Sequence, residues 1–307
     1  GFHQVGPQWY YTDENGNKLL GLQEIDGKLY YLDNTWSVSS VTGFLVKDEV
    51  LSPEQKESSR YPHTSSSTII KPKLYSYYYF DPETGAAVTN QFVNWKGNWY
   101  YFGNDGKALL FDQVINGQHL YFDANGRQVK GGFVMNTDGS RSFYHWNTGD
   151  KLVSTFFTTG HDRWYYADDK GNVVTGAQVI NGQKLFFATD GKQVKGDFAT
   201  NANGSRSYYH GATGNKLVST FFTTGDNNWY YADAKGEVVV GEQTINGQNL
   251  YFDQTGKQVK GATATNPDGS ISYYDVHTGE KVINRWVKIP SGQWVYFNAQ
   301  GKGYVSN

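Results

Sequence analysis

Residues 115–131 read INGQHLYFDANGRQVKG, and the pattern returns at 180–196 as INGQKLFFATDGKQVKG and at 245–261 as INGQNLYFDQTGKQVKG. The step between copies is 65 residues both times. Recurrence at a fixed period is the signature of a protein that stacks one supersecondary unit on the next. Each copy predicts a β-hairpin. Asn116-Gly117 is the pair a type I′ turn selects, because both central residues need φ > 0. Leu120-Tyr121-Phe122-Asp123 and Gln128-Val129-Lys130 alternate apolar with polar, with Gly126 in the turn between them. Side chains alternate faces along a strand, so Leu120, Phe122 and Val129 are expected inside, and Tyr121, Asp123, Gln128 and Lys130 outside. A register that sets Asp123 against Gln128 also sets Tyr121 against Lys130 and Phe122 against Val129. A one-residue slip would bury the lysine. An aromatic plate ringed by an acid, an amide and an amine is chemistry suited to a sugar ring.

Composition agrees with a thin β-structure. Only 38% of the 307 residues are hydrophobic, yet 17% are aromatic, with 24 Tyr and 9 Trp. Tyr and Trp bury area while keeping a polar handle, and the 36 Gly supply the turns. A formal net charge of −2 with no basic run argues against nucleic acid and against a membrane surface. The absence of Cys excludes disulfides and thiolate metal sites without placing the chain in any compartment. No apolar run approaches a membrane span, and no secretory signal is present. The pattern is already under way at Gly1 and still running at Asn307, so the chain is expected to be a piece of a longer protein.

Aromatic pairs mark the subunits. Tyr100-Tyr101, Tyr121-Phe122, Phe143-Tyr144 and Tyr165-Tyr166 follow one another at 21, 22 and 22 residues. Three hairpins therefore make one 65-residue unit. The first kind opens Trp-Tyr-Tyr, at Trp99, Trp164 and Trp229. The second is the hairpin above, and the third carries Asn-x-(Asp/Asn)-Gly-Ser, at 136–140, 201–205 and 266–270. Residues 1–47 keep the aromatic spacing less regularly and lack the Gln-x-Lys strand. Residues 48–73, rich in Ser, Lys, Glu and Pro, predict an insertion loop or hinge, and residues 74–307 the regular repeats. No apolar pattern of period 3.6 and helical length occurs. The expected fold is all-β, an elongated β-solenoid of stacked hairpins, three per 65-residue unit.

The Trp-x-Tyr-Tyr subunits, the aromatic-Phe-Asp-x-x-Gly-x-Gln-Val-Lys-Gly hairpins and the 65-residue period together resemble the glucan-binding repeats of bacterial glucansucrases, over the whole chain except 48–73. The resemblance implies a non-catalytic β-solenoid that holds α-glucan, chiefly α-1,6-linked dextran. It implies a parent chain whose catalytic domain polymerises glucose from sucrose, and a secreted or cell-surface location. It also implies sugar pockets between neighbouring hairpins, with a Tyr platform beside Gln and Lys. Carried onto this sequence, that gives Tyr121, Gln128 and Lys130, and Tyr251, Gln258 and Lys260. In the middle copy the set is Phe186, Gln193 and Lys195. There Phe186 replaces Tyr and Ala188 replaces Asp, so this pocket is expected to bind weakly or not at all.

Other assignments are bland by comparison. Without the resemblance, the Tyr/Gln/Lys face is equally a solvated hairpin surface with one cross-strand pair. Trp99, Trp164 and Trp229 are expected in the core. One ring each of Phe156-Phe157 and Phe221-Phe222 is expected to pack on the adjacent turn. Tyr144, Tyr209 and Tyr274 are candidates to wall a pocket from the next hairpin. The seven His show no ligand spacing, and Asn136–Ser140 lacks the late Glu of a calcium loop, so no metal or cofactor is expected. A glycosidase needs two carboxylates converging in a cleft, whereas the acids here are turn and hairpin-edge residues such as Asp168, Asp190 and Asp123. Two further functions stay open. Choline-binding and clostridial toxin repeats share the roughly 20-residue aromatic hairpin, but the Gly-Trp that builds a cation cage reads Gly-Gly-Phe, Gly-Asp-Phe or Gly-Ala-Thr here. A structural spacer is the third.

Overall fold

Alternating side chains and Gly-bearing turns give the chain a hairpin about every twenty residues, and nothing longer. The computed structural model describes residues 1–6, 8–32, 43–47, 76–81 and 83–306. The segment 48–73, expected to be a loop or hinge, lies outside the described residues. Among the described residues there are 26 strands and no helix, hence none long and apolar enough to cross a membrane. The strands form thirteen antiparallel two-stranded sheets. The chain is an all-β solenoid of hairpins, as the period requires.

The recurring stretch folds around its Asn-Gly turn. Strand Phe111–Ile115 pairs with strand Gln118–Phe122, and Asn116 and Gly117 take φ of 52° and 79°, as a type I′ turn demands. Ile115, Leu120 and Phe122 are buried, Phe122 completely. Two-stranded ribbons are marginal alone, so each is closed by its neighbours. Phe92, Tyr101 and Leu109 of the preceding hairpin pack on Ile115, Leu120 and Phe122. Phe156, Tyr166 and Val174 do so for Ile180, Leu185 and Phe187, and Phe221, Tyr231 and Val239 for Ile245, Leu250 and Phe252. The expected division of labour in Phe156-Phe157 and Phe221-Phe222 is therefore present: Phe157 and Phe222 are buried, and the other ring of each covers the next hairpin.

Backbone bonds tie the stack as well. The segment after each hairpin reaches back to the hairpin before it. The Gln128 N–H donates to the Trp99 carbonyl at 2.8 Å, Gln193 to Trp164 at 2.7 Å and Gln258 to Trp229 at 2.7 Å. Lys151, Lys216 and Lys281 make the equivalent bonds to His119, Lys184 and Asn249. The chain divides into two compact units, Gly1–Ser154 with Ala167–Asn172, and Thr155–Tyr166 with Val173–Asn307. Each of the contacts above is internal to one of them.

One register differs from expectation. Gln128 pairs with Phe122, not with Asp123, and the same holds for Gln193 with Phe187 and Gln258 with Phe252. The cause is the length of the connection. The Asp123 N–H donates to the Arg127 carbonyl at 2.8 Å, while the Asp123 carboxylate accepts the N–H groups of Asn125 and Arg127, both at 2.9 Å. Three residues close the turn rather than four, with Gly126 at φ 80°, the usual left-handed position of a three-residue loop. Asp123 is thus a turn-forming residue. Gln128 moves to the side of the buried Phe122, and Val129 joins Tyr121.

Candidate functional site

The slip in register decides where the polar groups converge. Gln193 and Gln258 are only 6% and 8% exposed, and Gln128 is half-buried. Each amide lies against the turn of the third hairpin. A Cβ built on Gly149, Gly214 or Gly279 would overlap the Nε2 of Gln128, Gln193 or Gln258 respectively. Those glycines sit at φ 73°, so both the conformation and the close approach call for Gly. The Gln128 amide donates to the Thr148 carbonyl at 3.5 Å.

Two residues on, the lysine turns back toward the first hairpin. Lys130, Lys195 and Lys260 hold their Nζ 5.4, 5.6 and 5.9 Å from the ring centroids of Trp99, Trp164 and Trp229. These three indoles are 36–39% exposed, against the expectation of core. Their buried neighbours Tyr100, Tyr165 and Tyr230 take the inward position, and alternation puts the indole outward. In the middle copy the groups enclose a groove of about 300 Å³ lined by Phe156, Trp164, Gln183, Leu185, Gln193, Lys195 and Thr213. A flat indole, an ammonium over part of it and two amides offer stacking surface, donors and acceptors within one open concavity.

Tyr121, Phe186 and Tyr251 are half-buried on the face opposite the Gln and Lys of their own hairpins. The sets expected together, Tyr121 with Gln128 and Lys130 and its two counterparts, are therefore split: Gln and Lys converge, the ring does not join them. Tyr144, Tyr209 and Tyr274 are fully buried, with ring centroids 5.8, 5.7 and 5.4 Å from Tyr121, Phe186 and Tyr251. They support those rings from beneath. The Tyr144 hydroxyl donates to Asp112 at 3.2 Å and that of Tyr274 to Glu242 at 3.4 Å. Burial, then the neighbouring carboxylate, raises the phenol pKa of both above the ordinary range. In the middle copy Ala177 stands opposite Phe186, and the buried Tyr209 hydroxyl has no hydrogen-bond partner among the described residues.

The polar atoms of the Asn136–Ser140 motif are engaged within its own hairpin and, through the Ser140 hydroxyl, with the Asn172 side-chain oxygen at 3.2 Å. The Asn136 amide donates to Ser140 and to the buried Ser142, both at 3.0 Å, and Asp138 accepts the Ser140 N–H at 2.9 Å. Among the described residues no group of three or more His, Asp or Glu is placed to hold a metal.

Sequence and structure comparisons agree on the kind of repeat. The choline-binding repeat family matches residues 113–156, 174–221 and 239–286, and the cell wall binding repeat matches 1–18, 90–108, 219–238 and 284–302. Glucosyltransferase-S of Streptococcus mutans serotype c is 36% identical over 295 residues, 96% of this chain and 18% of that protein. Glucosyltransferase-I of Streptococcus downei is 33% identical over 351 residues, 98% of this chain and 20% of that protein. The chain thus spans about a fifth of the length of these curated relatives. In fold it is similar to the crystal structure of choline binding protein F from Streptococcus pneumoniae, with a TM-score of 0.52 at 19% identity, covering 99% of this chain and 98% of that one.

Proposed function

The chain belongs to the glucosyltransferase (glucansucrase) family, as a segment built of its cell-wall-binding repeats, and from that premise we propose that it is a non-catalytic module that holds α-glucan. The preferred polymer is α-1,6-linked dextran. The observation that carries this reading is an arrangement repeated at 65-residue steps, a lysine over an exposed indole and a glutamine fixed against the next turn, which in the middle copy lines a groove. In it a glucosyl ring stacks on Trp99, Trp164 or Trp229, while Gln and Lys meet its hydroxyls. Tyr121, Phe186 and Tyr251 are not needed at this groove, so the middle copy binds as its sisters do. A quaternary ammonium fits poorly, because Lys195 already occupies the rim and repels a second cation.

Each groove is shallow, with an affinity expected between about micromolar and millimolar. Several grooves on one polymer raise the effective concentration, and avidity exceeds a single affinity by about 10²–10⁴. Carried in an extracellular or surface-attached glucosyltransferase that uses sucrose, the module would keep the growing product near the catalytic domain.

Affinity electrophoresis through dextran tests this. Trp164→Ala is expected to weaken retention about tenfold, the equivalent of about 1.4 kcal/mol, and replacement of all three indoles to weaken it at least about a hundredfold. Full retention by the triple variant, with unchanged circular dichroism, would refute the indole groove. Elution from a choline column instead would favour the anchoring function of choline-binding repeats.

A further inference from the structure

The first 65-residue unit has a second groove, of about 540 Å³, on the Tyr121 face. Phe111, Asp112, Tyr121, His119, Met135 and Lys151 are among its lining residues. Two of these positions, 111 and 112, differ from both sister copies. Phe111 begins its strand at φ 63°, where Gly176 and Gly241 hold 73° and 76°. The repeat imposes this left-handed conformation at the start of other hairpins too, at Asn90, Gly131 and Ser154 for example, but a bulky residue rarely adopts it. The Phe111 ring gains no burial that would explain it, being 42% exposed. It stands 6.2 Å from the Tyr121 ring at 55°, so the two rings form an open corner.

The charges follow the same division. Glu242 reaches across to Lys281 in an ion pair, and Ala177 offers no carboxylate at all. Asp112 is one methylene shorter than Glu242, and no ion pair joins it to Lys151 among the described residues. Asp112 accepts the Tyr144 hydroxyl, as Glu242 accepts that of Tyr274, and this fixes the carboxylate at the groove. Only this copy combines two rings, an acceptor held in place and an ammonium that its acid does not neutralise. An acid beside an amine disfavours a ligand of either net charge, and a corner of rings suits a flat apolar face. Those demands together describe a neutral polyhydroxylated ring.

We propose that Phe111, Asp112, Tyr121 and Lys151 form a second carbohydrate site, confined to the first 65-residue unit. It shares the ligand class of the indole grooves and none of their residues. Phe111→Gly, the residue the sister copies carry, is expected to raise the melting temperature, while calorimetric titration with isomaltohexaose counts one fewer molecule bound per chain. Asp112→Ala is expected to weaken that one site about tenfold. A chain with Trp99, Trp164 and Trp229 all replaced by Ala should retain this site alone, and Phe111→Gly should then remove it. If the triple variant does not fold, the count for Phe111→Gly in the native chain decides. An unchanged count and affinity in Phe111→Gly and Asp112→Ala overturns the second site whatever the indoles do. Complete loss of binding in a folded triple-indole variant also overturns it. Binding that survives loss of the indoles undiminished but falls with Phe111→Gly supports this site and rejects the indole grooves.

Discussion

Tyr209→Phe is expected to make the protein more stable, whereas Tyr144→Phe and Tyr274→Phe make it less so. All three rings are fully buried and occupy the same place in their hairpins, so packing lost or gained is the same. The difference is the hydroxyl. Tyr144 and Tyr274 give theirs to Asp112 and Glu242, and a net hydrogen bond to a charged partner contributes about 1.5–3 kcal/mol. The acids are partly solvated and recover some of this from water, so a loss of about 1–2 kcal/mol is expected for each. In the middle copy Ala177 stands where Asp112 and Glu242 stand in the others, the Tyr209 hydroxyl has no partner among the described residues, and an unsatisfied buried donor costs about 1–3 kcal/mol. Removing it should raise the melting temperature, and Ala177→Glu, which copies Glu242, should do so by the opposite route of supplying an acceptor. Thermal melts of the four variants check this. A lower melting temperature for Tyr209→Phe would mean that the hydroxyl has a partner after all.

Gly214→Ala should damage both stability and sugar retention. At φ 73° an L residue costs about 1–2 kcal/mol, and the new methyl would overlap the Gln193 amide. Overpacking of this sort adds about 1–3 kcal/mol, for a total of about 2–5 kcal/mol. Relief by movement of Gln193 would expel the amide from the Trp164 groove, so that groove should lose its ligand even where the fold survives. The two effects separate in a double-mutant cycle. In a Gln193→Ala background the collision vanishes and only the backbone strain remains, so the stability loss from Gly214→Ala should shrink by about 1–3 kcal/mol. Strictly additive losses in chemical denaturation would show that the amide and the turn do not touch in solution.

Much of the architecture was legible in the residues because it depends on local, repeated chemistry. The 65-residue period, the Asn-Gly turn and the inward Leu120 and Phe122 all rest on short-range rules, and the structure has each of them. Around the candidate site two strand faces differ from expectation, each by one residue. Matching Tyr100-Tyr101 to Tyr121-Phe122 as aromatic pairs put Trp99 inside. The structural match is Tyr100-Tyr101-Phe102 to Leu120-Tyr121-Phe122, with Phe102 and Phe122 both fully buried, and it turns the indole outward. Likewise a four-residue turn after Asp123 leaves Gln128 outside, while the three-residue turn that forms brings it in. In a structure of period two, a single count reverses a face. The turn glycines at 149, 214 and 279 carried no usable signal, since what they accommodate is a glutamine some twenty residues earlier in the chain. Phe111 was legible in principle: it stands where Gly176 and Gly241 fall in the repeat.

The middle indole groove draws Phe156 and Trp164 from one hairpin, Gln183 and Leu185 from the next, and Thr213 from the one after. A polysaccharide lodged there is therefore a splint across three successive ribbons, none of which holds together well unaided. Local opening of any of them must first release the sugar, so occupancy should slow amide exchange well beyond the residues that touch it. The cargo would in this way stiffen its own carrier.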